Sequence, residues 1–142
     1  MAGGGVTFGG GEPLIQSDFI HEVCKLMSPA WNKRIETSLN VPWRYVEPLL
    51  QDLDEWIIDI KDADGRIYEK YTGTTNTNMR NNIFKLADMV KPRKLRVRVP
   101  RIPGYNDEDK INESVIWVKD VMKLKAEIID YIVPAEITPL TD

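Results

Sequence analysis

Cysteine and histidine are almost absent from this sequence. Among 142 residues there is one of each, Cys24 and His21. A single thiol excludes an internal disulfide and accords with a reducing cytoplasm. One thiol and one imidazole also exclude a Cys/His zinc site, or a cysteine-held iron–sulfur site, built from these residues alone. No apolar run approaches the roughly 18–20 residues that span a bilayer, and no basic-then-apolar leader opens the chain. A cytoplasmic protein without a membrane partner is the expectation. The net charge is −3 and no basic block is interleaved with aromatics, which argues against nucleic acid as a partner.

What is present is a rhythm. Five runs rich in Val and Ile, bounded by Gly, Pro or Asp, read as strands: Val6–Phe8, Arg34–Ser38, Trp56–Ile60, Leu95–Val99 and Ile128–Val133. Helical stripes lie between them. Phe19, Ile20, Val23, Leu26 and Met27 share a face behind Ser17 as cap. Val46, Leu49, Leu50 and Leu53 form a second stripe, and Met79, Ile83, Leu86, Ala87 and Val90 a third. Ile111, Val115, Val118 and Met122 form a fourth, with Asn106 to cap it, acids in its first turn and lysines at its end. The segment 62–65 (DADG) reads as a turn. Strand–helix alternation predicts α/β architecture with a parallel sheet or barrel, in a single domain over 1–142. A strand begins at once and another ends the pattern, so the chain reads as a piece of something larger. An open strand edge near Val6 and Phe8 would then favour self-association.

Six of the nine glycines stand at positions 3, 4, 5, 9, 10 and 11, around the first strand, and the run ends in Glu12 and Pro13. Glycine belongs where backbone turns sharply or approaches a ligand closely. A phosphate loop would end in Gly-Lys-Ser/Thr, whereas a carboxylate suits an ammonium group; a tight structural turn is the alternative. Alternation along the later strands puts Arg34, Glu36 and Ser38 on one side, then Asp59 with Lys61, then Arg96 with Arg98. Either these charges pair in water or they meet a ligand of both signs at the strand ends. Three charged strands beside a glycine loop favour a zwitterion such as an amino acid derivative. His21 reads as solvated beside Glu22, Cys24 as a small buried residue.

The segments "GGGVTFGGGEPLIQ", "IETSLNVP", "IIDIKDAD", "YEKYTGTTN" and "RVRVPRIPGYND" resemble, in that order, motifs of the radical S-adenosylmethionine (SAM) enzymes that activate glycyl radical enzymes, as the pyruvate formate-lyase activating enzyme does. The likeness covers about residues 3–110. It implies a partial (β/α) barrel, of which about five parallel strands are present here. It implies that the backbone around Gly10, Gly11 and Glu12 holds the amino group of SAM, with Asp59, Ile60 and Lys61 along the cofactor and Arg98 at its polar end. Glu36, Thr37 and Asp59 match positions that hold a monovalent cation.

Two departures accompany the likeness. The family holds a 4Fe–4S cluster on C-x3-C-x2-C, which has no counterpart here, so no iron–sulfur ligand and no catalytic residue is assigned. A Pro-Tyr-His stretch of the family is replaced by Pro134-Ala135-Glu136. The resemblance implies an enzyme that reductively cleaves SAM, with an electron from a flavodoxin- or ferredoxin-type donor, and installs a glycyl radical on pyruvate formate-lyase or a relative. The chain alone is expected to be inactive. A non-catalytic SAM-binding or scaffold domain is the alternative.

Overall fold

The β-branched runs become strands in a computed structural model that describes residues 3–131. These are β1 (Gly5–Phe8), β2 (Asn32–Thr37), β3 (Glu55–Asp59), β4 (Leu95–Arg101) and β5 (Glu127–Asp130). They pair in sequential order, every neighbour parallel. Among the described residues the sheet is open, with β1 and β5 at its edges. The helices are α1 (Ser17–Leu26), α2 (Gly65–Thr72), α3 (Thr77–Met89) and α4 (Glu108–Met122). Right-handed crossovers in an unreversed strand order bring connecting helices to one face of a sheet.

Strand alternation sorts the two faces. Ile35, Trp56, Ile58, Ile60, Val97 and Val99 enter the core with Ile20, Cys24, Ile83, Leu86, Ile111 and Val118 of the helices. Each such side chain contributes about 1.5–3 kcal/mol on full burial. The alternate positions, Arg34 and Glu36, Glu55 and Asp59, Arg96 and Arg98, face the other side. A parallel sheet covered on both faces would be nearly all apolar; this one keeps a charged face.

Several local expectations are revised. Phe19 and Leu26 are 67% and 89% exposed, and Ile20 and Cys24 carry the buried face of α1 instead. Ser17 is the first residue of α1 and is buried; Gln16 precedes it without a side-chain cap bond. The Val46–Leu53 stripe does not make an α-helix. Pro48 cannot donate the backbone bond an α-helix requires, and two short 3-10 turns, Trp43–Tyr45 and Glu47–Leu49, pack there instead. The turn at 62–65 leads directly into α2, whose cap is Asp64. Asp107 caps α4 through Lys110 N at 2.9 Å. Asn106 instead bonds Ile102 N and Pro100 O, closing the turn before it.

His21 is not simply solvated: its Nδ1 lies 2.6 Å from Asp52 Oδ2 and ties α1 to the segment before β3. Cys24 is buried as expected, and burial, helped by the Asp52 charge, pushes its thiol above the ordinary range. The far end of the strand expected at Ile128–Val133 lies outside the described residues, as do Pro134, Ala135 and Glu136.

Candidate functional site

Ligands of parallel α/β folds gather at the carboxyl ends of the strands. At that end the β1–α1 loop is shaped by backbone conformation. Gly10 and Gly11 have φ of +77° and +50°, values that L side chains rarely adopt. A Cβ on either would meet nothing within 4 Å, so conformation rather than crowding calls for glycine, and the loop surface stays bare.

Glu12 turns back into the protein. Its carboxylate accepts from Leu14 N at 3.1 Å, Ser38 N at 3.0 Å, Ser38 Oγ at 2.7 Å and Thr37 Oγ1 at 2.8 and 2.9 Å. It starts the 3-10 turn Pro13–Gln16 and fastens the β1 loop to the end of β2. The loop therefore offers a ligand its backbone, with this carboxylate already satisfied.

The charged strand ends converge. Asp59 and Arg98 are register partners on β3 and β4. Arg98 Nη2 lies 3.8 Å from Glu36 Oε2, and Arg98 Nε lies 3.8 Å from Asp59 Oδ1. That separation exceeds a hydrogen bond. Asp59 Oδ1 and Arg98 Nε are both buried, and neither has a hydrogen-bond partner among the described residues. Leaving such groups unsatisfied costs about 1–3 kcal/mol each, more when charged. Lys61 Nζ sits 3.1 Å from Asp59 Oδ2, bonds the Tyr131 hydroxyl and lies 4.8 Å from the centre of that ring. Burial and the Asp59 charge drive the Tyr131 phenol well above its ordinary range.

A cavity of about 410 Å³ opens between these groups. Gly10, Gly11, Glu12, Glu36, Thr37, Asp59 and Lys61 line it. Ile60 does not; its side chain is fully buried in the core and its N–H bonds Arg98 O at 2.9 Å. Arg98 stands behind Asp59 rather than on the wall. Ser38, which alternation put on the same side as Glu36, lines it too, whereas sequence reading missed Asn40, Tyr68, Thr72 and Thr74. The last three lie in "YEKYTGTTN", a segment singled out only for its likeness. Among the described residues no cluster of three or more His, Cys, Asp or Glu stands ready to hold a metal ion. The Thr37 hydroxyl is committed to Glu12, and Glu36 and Asp59 both approach Arg98.

No family model matches the chain. It is 40% identical over 110 residues to the (2S)-3-sulfopropanediol dehydratase activating enzyme of Klebsiella oxytoca, a match covering 75% of this chain and 33% of that enzyme. It is 40% identical over 114 residues to the 4-hydroxyphenylacetate decarboxylase activating enzyme of Clostridioides difficile, covering 80% and 36%. A domain of pyruvate-formate lyase-activating enzyme from Bacteroides vulgatus shares the fold at a TM-score of 0.75 and 28% identity, covering 94% of this chain and 87% of that domain. This chain is a homologue of the glycyl radical enzyme activating enzymes. It spans about a third of the length of the curated activating enzymes it matches, 33% and 36%. Five parallel strands alternating with helices are thus the activating-enzyme fold, as its motifs imply. The two groups implied for an activating enzyme fare differently against these residues. SAM fits: the unpartnered Asp59 oxygen and the Lys61 ammonium, on one cavity with the Gly10–Gly11 backbone, suit a ligand that brings an ammonium and a carboxylate. The cluster does not, since Cys24 is the one thiol and is buried in α1.

Proposed function

We propose that this chain carries the SAM-binding part of a radical SAM enzyme that installs a glycyl radical on a partner enzyme. The cavity that brings the bare Gly10–Gly11 backbone together with Asp59 and Lys61 carries this reading. Backbone acceptors, a carboxylate and an ammonium on one wall call for a ligand with both a donor and an acceptor. The amino-acid end of SAM has both. The bare backbone of Gly10, Gly11 and Glu12 accepts from its ammonium, Asp59 and Lys61 run along it, and Ile60 and Arg98, expected from the motifs to touch it, act from behind the wall by holding Asp59 in place. When cleaved, SAM supplies the radical that takes hydrogen from a glycine of a partner such as pyruvate formate-lyase or a relative. These residues contribute binding and orientation. No cluster step is assigned to them, and the electron, from a flavodoxin- or ferredoxin-type donor, enters elsewhere in the enzyme.

The single buried cysteine favours a second reading, a SAM-binding or scaffold domain without catalysis. Reading the genomic DNA in frame upstream of the Met1 codon separates the two. A C-x3-C-x2-C there supports the activating enzyme; an intervening stop without cysteines supports the binding domain. On either reading the purified 142-residue chain, given iron, sulfide, SAM and reductant, forms no 5′-deoxyadenosine. Its formation would refute the assignment of the cluster elsewhere.

A further inference from the structure

Tyr68 is the residue that α2 buries. Asp64 fixes the first turn of α2 by accepting from Arg66 N at 2.8 Å and Ile67 N at 3.2 Å. The Tyr68 ring then enters the core at 2% exposure while the residue lines the cavity beside the glycine loop. Its phenol stays protonated: burial, then the Glu12 charge, pushes its pKa up to about 12, with the Ser38 hydroxyl opposing the shift.

A protonated phenol on a cavity wall has a donor to offer a ligand, and its protein neighbours are occupied. The Glu12 oxygens already take donors from Leu14, Thr37 and Ser38. Ser38 Oγ donates to Glu12 and accepts from Asn40 N at 3.2 Å. The Tyr68 hydroxyl meets the Ser38 side chain, and among the described residues no carboxylate or carbonyl takes its proton.

We infer that Tyr68 is a ligand-positioning residue whose hydroxyl donates a hydrogen bond to the carboxylate of the bound amino-acid derivative. This rests on the SAM reading of the same cavity. In an α-amino acid the ammonium and carboxylate share one carbon. A loop that holds the ammonium on the Gly10 and Gly11 backbone therefore sets the carboxylate within reach of residues bordering that loop. Tyr68 borders it and has a donor to spare, while Lys61, on the same cavity, supplies the positive charge.

Calorimetric titration of the chain with SAM and with decarboxylated SAM tests this, in wild type and Tyr68→Phe. The expected result is about 10-fold weaker SAM binding by Tyr68→Phe, the size of one hydrogen bond to a charged group, with unchanged affinity for the decarboxylated ligand. Equal weakening of both ligands, or of neither, overturns the role of Tyr68 and leaves the SAM site standing. No saturable SAM binding by wild type overturns the site and Tyr68 together. Should Tyr68→Phe fail to fold, wild type carrying 13C at the tyrosine ζ carbon gives the answer. The Tyr68 resonance moves with SAM and stays still with decarboxylated SAM if the inference holds; a common response to both refutes it.

Discussion

Replacing Glu12 with Gln tests whether this residue serves the ligand or the scaffold. Its carboxylate receives two backbone donors, Leu14 N and Ser38 N, and two hydroxyls, Thr37 and Ser38. The hydroxyls can re-aim toward other acceptors, but the backbone N–H groups cannot. A glutamine keeps the shape and offers one acceptor oxygen, so one of the two backbone donors loses its partner. Stranding one donor costs about 2 kcal/mol, and Glu12→Ala, which strands both, about 4 kcal/mol. At this chain length 1 kcal/mol corresponds to roughly 3–5 °C in Tm. Circular dichroism melts without ligand should therefore place Glu12→Gln roughly 6–10 °C below wild type and Glu12→Ala lower still. An unchanged Tm in either variant, together with lost SAM binding, would refute the scaffold role and return the carboxylate to the ligand.

Two further perturbations follow from local geometry. Asp64→Ala removes the cap of α2 and should cost about 1 kcal/mol in urea unfolding near neutral pH. The Ile67 N–H, chief among its partners, holds the Asp64 carboxyl below its ordinary value of 3.8. That stabilisation is complete above the unfolded value and is lost as pH falls through the lower folded one, so wild type and variant should converge in acid; a difference that persists there contradicts the cap. Gly11→Ala meets open space but must hold φ at +50°, at a cost of about 1 kcal/mol, and a neutral urea midpoint would show that the loop relaxes.

Sequence pattern carried much of the fold for physical reasons that vary by element. β2 and β4 are legible because apolar positions alternate with charge, and β3 because Trp56, Ile57 and Ile58 run together between Glu55 and Asp59. Alternation also pointed to the candidate site, since Glu36 and Asp59, which line the cavity, share the face opposite the core with Arg98. α2 was illegible. GRIYEKYT buries only Tyr68, so no apolar stripe marks it, and Tyr68, Thr72 and Thr74 were lost to the site with it. The Val46–Leu53 stripe misled in the other direction, because apolar spacing survives where Pro48 forbids the α-helix. The Glu12 carboxylate suited an ammonium on sequence grounds. The partners that satisfy it, Thr37 and Ser38, arrive only when β2 lies beside β1.

Amide chemical-shift mapping of the chain with SAM tests the central claim most directly. If the carboxyl ends of β1 to β3 form the SAM site, saturable shifts gather at residues 9–12, 36–38, 59–61 and 68–74. Shifts absent at saturating ligand, or gathered instead around Val115, Lys119 and Leu124 on the α4–β5 side of the sheet, would contradict the account.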